Sequence, residues 1–476
     1  MQPVEIVRQG AFDGSGGGWR SLLEELTRLS YKIFITSRGS ERLPYNGLPP
    51  FIADDVAPIT AWENSLIALS CLSGARYFRS IISPTGALWM DLIIFFAIAV
   101  FVLVFLSVAD LGLGLRSMTK LSDIPPMHND AAPVVSIVVP ACNEEANIES
   151  ALSTLLQQDY EHLEIIAVND RSVDGTGGIL ERLRQQHSEK LKVLHVEQLP
   201  AGWMGKNHAL NFGAEHARGE YLLFTDGDIH MAESTISRAI GYMRREGLDH
   251  VSLLFRNSSP GILLNSLILD AGAGLLQCFR PWRAKTRSSR YYMGVGAFNL
   301  VRKSAYESTG GFATIKMHPV DDIMLGKIIK KRGFRQECLL GQDLVSVPWY
   351  ESIGQMTDGL SKNALAVINY RFFLVPPLLA ILFLFNIFPL WGVVLCDGIA
   401  RIVFGLVILL KTAAYYGGTR VLGISPWCAL GTLISPYIVF FIYVKATWRN
   451  ARDNGIYWRG THYFLAELRR NEKLLF

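Results

Sequence analysis

Apolar residues follow two rhythms along this chain. Long unbroken runs lie near residue 100 and beyond residue 370, and between them short apolar runs alternate with amphipathic stretches. In the first rhythm, "LWMDLIIFFAIAVFVLVFLSVADLGLGL" (88–115) has an uncharged core from Leu92 to Ala109, bordered by Asp91 and Asp110. That is close to the ~20 residues needed to cross ~30 Å of hydrocarbon. Three more apolar segments follow at 372–396, 399–416 and 426–444. The second of these carries Arg401 and Lys411 near its ends and spans only if both side chains snorkel. One helix before the middle region and three after it would leave both chain ends on the same side, outside if the middle is cytosolic. The tail, with Arg449, Arg452, Arg459, Arg469, Arg470 and Lys473, favours the cytosol instead. Three resolutions stay open: the weak segment lies in the interface, a further span sits within 55–75, or the tail is an exception.

The second rhythm covers about 130–350. "VVSIVVP" (134–140) is a fully apolar strand, followed by a helix with Ile148, Leu152, Leu155 and Leu156 on one face. "LEIIAVND" (163–170), "LKVLHVE" (191–197) and "YLLFTD" (221–226) repeat the pattern, each separated by a helical stretch. Strands that are apolar on both faces and alternate with helices predict an α/β fold with a doubly wound, mostly parallel sheet. The flanking segments predict a Pro- and Gly-rich, poorly ordered extension over 1–85, a membrane helix over 86–116, an amphipathic interfacial helix over 351–371, a membrane region over 372–447 and a basic cytosolic tail over 448–476.

Composition sharpens this only a little. Half of the 476 residues are apolar, which agrees with a membrane component. A formal charge of +4 gives no reason to expect nucleic acid. Six cysteines without CxxC spacing signal neither a zinc site nor a disulfide framework, and no removable signal peptide is evident.

In parallel sheets ligands bind where the strands end, and here the polar groups collect at those exits: "PACNEE", "NDRSVDGT" and "TDGD". Asp226 and Asp228, separated by Gly227, are hard oxygen ligands that suit Mg²⁺ or Mn²⁺ with open positions for phosphate oxygens, although the same triplet also reads as a solvated turn. Asp170 is either a turn residue or an acceptor for the imide N–H of a uracil-type base. Lys206, where "GWMGKNHAL" opens a helix, would neutralise phosphate charge together with the local amides. Small residues in "GVGAFNLVR", Gly294 and Gly296 among them, would let an acceptor approach closely, with Arg302 following. His318 reads as structural.

Taken in order, "VVSIVVPACNEE", "AVNDRSVDGT", "GWMGKNHAL", "FTDGDIH", "GVGAFNLVRKSAYESTGGF" and "VDDIMLGKIIKKRGFR" resemble the family 2 glycosyltransferases with a GT-A fold. Among these they are most similar to membrane-bound members that glycosylate lipids, such as the hopene-associated, carotenoid and ceramide glycosyltransferases. The resemblance covers roughly 130–365. It implies a nucleotide-sugar donor, most simply a UDP-sugar, and inversion at the anomeric carbon. It places Pro140, Ala141, Asn143 and Glu144 at the nucleoside, Asp170 at the base, Lys206 and Asp226 at the diphosphate, and a divalent metal on Asp226 and Asp228. Asp322 takes the position of the catalytic base, and Asp321 stands where many relatives have Glu, on the acceptor side with Gly294, Gly296 and Arg302. Both acids also read as cap residues of the helix that follows, whose N-terminus would keep a nearby carboxylate ionised.

Relatives that extrude long polysaccharides carry QxxRW after the base; here Gln355 has neither the Arg nor the Trp at that spacing. The expectation is therefore transfer of one sugar to a membrane lipid hydroxyl or carboxyl, by a multi-pass protein of the cell membrane with its catalytic domain in the cytosol. The alternatives are a processive or short-chain polysaccharide synthase, and a non-catalytic membrane protein that binds sugar nucleotides.

Overall fold

The computed structural model describes residues 86–127, 132–363 and 365–470. The expected extension at 1–85 and the further span considered at 55–75 lie outside them.

Helix α1 (Gly86–Arg116) is the long apolar helix foreseen from the sequence, with a mean hydropathy of 3.2 over its most apolar window. The α/β region follows as β1 (Val135–Ala141), α2 (Ile148–Leu156), β2 (Leu163–Asp170), α3 (Thr176–Gln186), β3 (Leu191–Val196), α4 (Gly205–Glu215) and β4 (Tyr221–Phe224). After β5 (His230–Met231) and α5 (Thr235–Glu246) come β6 (His250–Leu254), β7 (Arg256–Asn257) and α6 (Ile262–Phe279). Then follow β8 (Asn299–Arg302), α7 (Lys303–Thr309), α8 (Asp321–Lys331), β9 (Gln336–Leu340) and β10 (Val345–Val347).

Seven strands form one sheet in the order β3-β2-β1-β4-β8-β6-β9, and β5-β10-β7 form a second, small one. Only β8 runs against its neighbours β4 and β6. The sheet is thus mostly parallel, as the apolar runs predict. Every residue of β1 is buried, because it sits centrally between β2 and β4 with both faces covered. Ile137, Val138, Ile165, Ile166, Leu222 and Leu223 are fully buried at the centre of the core. Since β1, β2 and β4 point the same way, their exits share one rim.

The C-terminal part begins with α9 (Ile353–Asn363), shorter than the expected 351–371 helix. Its apolar side is covered by protein: Met356 packs among Leu264, Leu267 and Ile268 of α6 and Val439. Next come α10 (Val375–Leu382), a π-helical turn at Phe383–Ile387 and α11 (Phe388–Leu395), which together form one apolar segment, then α12 (Gly398–Leu422). The stretch expected as one helix at 426–444 is broken into a 3-10 helix, Pro426–Leu433, and α13 (Ser435–Arg452), bent by 66°. The basic tail is folded: β11 (Gly455–Trp458) and β12 (Thr461–Phe464) make a hairpin, and α14 (Leu465–Arg470) follows.

Among the described residues, four helices are long and apolar enough to cross a membrane, or up to five if the bent pair counts as one: α1, Ile262–Arg283, Phe372–Leu395 and α12. Ile262–Arg283 has no counterpart in the sequence reading, since Asn265, Ser266 and Asp270 interrupt its apolar run. It connects β7 to β8, and β8 pairs with β6 in one sheet. Both its ends therefore connect to strands of the α/β region.

Candidate active site

The site is assembled on the shared rim of β1, β2 and β4. After β4, Thr225 is buried and donates its hydroxyl to the Ala297 carbonyl at 2.8 Å, while the Asp226 N–H donates to the Gly296 carbonyl at 3.1 Å. These bonds tie the Asp-Gly-Asp turn to the loop before β8. Gly296 is the pivot: a methyl group built on it would lie 2.6 Å from Asp226 Oδ2 and 3.5 Å from Asp322 Oδ2. Only a glycine lets these two carboxylates converge. The Gly296 N–H donates to Asp322 Oδ2 at 2.9 Å, and the Ile323 N–H donates to Oδ1 at 2.8 Å.

Asp321 and Asp322 form the first turn of α8, whose N-cap is Val320. The expected capping role is thus replaced by a place inside the helix. The helix N-terminus also does not keep Asp322 acidic: burial, joined by the negative charge of Asp321, raises its carboxyl to about 6 despite Lys206. A base that titrates there is matched to neutral conditions.

Lys206, second residue of α4, bridges the two halves of the site. Its ammonium lies 2.7 Å from Asp226 Oδ1 and 3.1 Å from Asp321 Oδ2. Burial alone would lower its pKa; Asp226, Asp321 and Asp322 outweigh that and raise it. Reciprocally, burial would raise Asp226, and Lys206 holds it below the ordinary carboxylate range. Asp228 has no such cation. Burial, then Asp226 and Glu144, push it up to about 7.

On the β1 and β2 side, Asn143 and Arg171 both take left-handed backbone, each with φ of 56°. Asn143 Oδ1 accepts the Val173 N–H at 2.9 Å, and Thr176 Oγ1 accepts the Glu144 N–H at 2.8 Å. Asp170 is fully buried, with both oxygens on the Arg171 guanidinium at 2.8 and 3.2 Å. It borders Gly205, one residue before Lys206. Pro140 lies beneath the Asp226–Asp228 turn, its carbonyl 3.5 Å from where a Gly227 Cβ would be, and Ala141 ends β1, fully buried.

Arg302 does not join this group. Because β8 is antiparallel to β4, Asn299 sits opposite Phe224 at the exit while Arg302 sits opposite Tyr221 at the far end, 3.7 Å from Asp249. The apolar runs carried no sign of that reversal. His318, buried, accepts the Val320 N–H on Nδ1 at 3.2 Å and orders the turn before α8.

Three residues that sequence reasoning had assigned elsewhere belong to the site. Lys362 of α9, expected at the membrane interface, is buried with its ammonium 3.6 Å from the centre of the Trp458 ring. Arg459, at the tip of the C-terminal hairpin, reaches Glu144 Oε1 at 3.3 Å. Tyr463 accepts the Gly205 N–H at 3.3 Å. For Arg459 and Tyr463 the signal was the break in the basic tail, "GIYWRGTHYF", where aromatic residues flank a turn glycine; Lys362 had none.

A cavity of about 260 Å³ opens beside the carboxylates. Asp226, Asp228, Gly294, Gly296 and Asp322 line it, together with Leu111 and Leu115 of α1, Gly272 and Leu276 of α6, and Gly418 and Leu422 of α12.

Residues 136–310 match the family model described as glycosyl transferase family 2. These residues are a family 2 glycosyltransferase domain. The family 2 domain carries the GT-A arrangement: a mostly parallel α/β sheet with its carboxylates at the strand exits. A 4,4'-diaponeurosporenoate glycosyltransferase of Staphylococcus haemolyticus is 25% identical over 239 residues, covering 48% of this chain and 60% of that protein. A poly-beta-1,6-N-acetyl-D-glucosamine synthase of Staphylococcus epidermidis is 28% identical over 185 residues, 38% of this chain and 42% of that one. Among solved structures, a mannosyltransferase from Pyrobaculum calidifontis in complex with GDP-Man and Mn²⁺ is 20% identical, with a TM-score of 0.47, 75% of this chain and 99% of that one being covered. The chain spans between 35 and 60% of the length of the curated relatives just cited and of the first one matched.

Proposed function

We propose that this protein is an inverting glycosyltransferase that moves a single sugar from a nucleotide-sugar donor to a hydroxyl or carboxyl of a membrane lipid. The observation that carries the reading is the cavity: Asp322 and residues of the apolar helices α1, α6 and α12 line the same space. An acceptor lying with its tail among α1, α6 and α12 would bring its polar end to Asp322. The relative that acts on diaponeurosporenoate supports a lipid acceptor, and the polysaccharide synthase relative defines the competing outcome.

Asp322 is the general base in this reading. The N–H groups of Gly296 and Ile323 fix its two oxygens, so the carboxylate meets the acceptor hydroxyl in one orientation. It takes the hydroxyl proton as the new bond to the anomeric carbon forms on the face opposite the diphosphate. Asp226 and Asp228 fit a divalent cation: both are hard oxygen donors, and the crowding that raises Asp228 is what a cation relieves. Two carboxylates with open positions for phosphate oxygens suit Mg²⁺ or Mn²⁺. When bound, that ion stabilises charge on the departing diphosphate. Pro140, Ala141, Asn143, Glu144 and Asp170 form the nucleoside side.

The connectivity supports one membrane arrangement for this reading. Leu115 and Leu422 line the same cavity as Asp322, so α1 ends and α12 ends on the catalytic side. The segment 372–395 then leads away from that side and α12 returns to it. Arg459 touches Glu144, so the bent pair at 426–452 begins and ends on the catalytic side as well, without crossing. The three crossings are α1, 372–395 and α12. This removes the parity conflict and keeps the basic tail with a cytosolic catalytic domain.

The test is incubation of membranes bearing the protein, or its Asp322→Asn variant, with a panel of labelled sugar nucleotides. Label is expected in one chloroform-soluble product of the wild type and not of the variant. Label in polymer would replace this reading with a synthase, and absence of label from every acceptor would end it.

A further inference from the structure

The family 2 domain ends near residue 310, yet three side chains at the donor end come from beyond it: Lys362, Arg459 and Tyr463. Their arrangement is specific. Arg459 (φ 46°) and Gly460 (φ 76°) both adopt left-handed backbone, which turns the hairpin tightly and carries the guanidinium at its tip. One of its nitrogens, Nη2, lies 3.3 Å from Glu144 Oε1, whereas Nη1 is buried with no hydrogen-bond partner. Lys362 is 8% exposed, and its ammonium rests on the Trp458 ring without an ion pair or hydrogen bond among the described residues. A buried guanidinium nitrogen left without an acceptor is costly unless an anion meets it.

The charge balance points to which anion. Glu144, Asp226, Asp228, Asp321 and Asp322 converge here, and Lys206 is already committed to Asp226 and Asp321. A donor diphosphate would enter a net negative rim unless further cations faced it. Arg459 holds Glu144, whose Cγ lies 3.7 Å from where a Gly227 Cβ would be, and Lys362 rests on Trp458 beside Arg459, which places both cations next to the Asp226–Asp228 turn where the diphosphate would lie.

We propose that Arg459 and Lys362 bind the diphosphate of the nucleotide-sugar donor, so that the C-terminal hairpin completes the donor site. The inference rests on the donor reading given above. Arg459 presents a planar fork that bridges two phosphate oxygens, and Lys362 adds a point charge positioned by Trp458. In the transfer step the bond from the anomeric carbon to the diphosphate oxygen breaks, its electron pair leaves with that oxygen, and the acceptor proton goes to Asp322. The two cations then face the product diphosphate, whose charge has grown.

The experiment measures equilibrium binding of UDP and GDP, each beside its monophosphate, to the full chain in lipid nanodiscs with Mg²⁺. Arg459→Ala and Lys362→Gln are each expected to weaken diphosphate binding roughly ten- to hundredfold, with monophosphate binding changed about twofold or less. Arg459→Lys, which keeps the charge but loses the fork, is expected to fall between wild type and Arg459→Ala. Unchanged diphosphate binding in the variants overturns the proposal while leaving the donor reading intact. Equal loss of mono- and diphosphate binding with a lowered unfolding temperature also overturns it, because the hairpin is then only a clasp. A wild-type chain that binds neither diphosphate overturns the donor reading and this proposal with it.

Discussion

Asp322 combines two influences that a linear reading treats separately. The first turn of α8 and the Gly296 loop each supply a hydrogen bond to one of its oxygens, and its burial beside Asp321 raises the carboxyl to about 6. A base must be ionised to work, and a raised acid is protonated below its pKa. Turnover under subsaturating donor is therefore expected to fall as pH drops through about 6 and to level off above it, as a pH–rate profile would display. Gly296 sets the spacing of the same carboxyl from Asp226. Gly296→Ala inserts a methyl 2.6 Å from Asp226 Oδ2, an overpacking that costs about 1–3 kcal/mol. The expected result is at least a roughly tenfold loss of kcat with an unchanged circular dichroism spectrum; an active Gly296→Ala enzyme would remove Gly296 from the positioning role. The acids of this site were legible because each ends an apolar strand or opens a helix. Lys206 was legible too, at the opening of a helix; Lys362 and Arg459 were not, since a lysine or arginine far along the chain carries no mark of the element that will face it.

At the level of elements, parallel strands announce themselves, because burial on both faces demands the unbroken apolar runs seen in β1, β2 and β4. Strand direction does not, which is why Arg302 was expected at the acceptor and is found at the far end of β4. Helix α6 escaped notice for a different reason. Its Asp270 accepts hydrogen bonds from Tyr415 of α12 and, at 3.2 Å, from Ser435 of α13, so the polar residue that interrupts its apolar run is a joint between three helices. Tyr415→Phe deletes one of those bonds. By analogy with bonds inside membrane proteins, the loss is about 0.6 to 1.7 kcal/mol, to be read as reduced resistance to denaturant in detergent while nucleotide binding persists. No change in stability would mean that the joint is held by packing alone.

Across the whole molecule, the cavity couples a water-facing reaction to apolar helices. Gly272 contributes open space to its wall, since the nearest atom to a methyl group there is 3.7 Å away on Trp349. Gly272→Phe would fill that space. Transfer to lipid is expected to drop at least tenfold and donor binding to stay within about twofold; retained lipid transfer would place the acceptor elsewhere. None of this geometry could be read from the chain, because the cavity is bounded by residues near 111, 226, 272, 322 and 422 that only the fold brings together.

The hairpin at 455–464 is made after every long apolar helix among the described residues. A nascent protein therefore reaches the stage at which its bilayer segments have been synthesised before Arg459 and Tyr463 can dock on Glu144 and Gly205. The order of translation would thus act as a safeguard: the proposed donor site gains Arg459 only once the described apolar helices have been laid down.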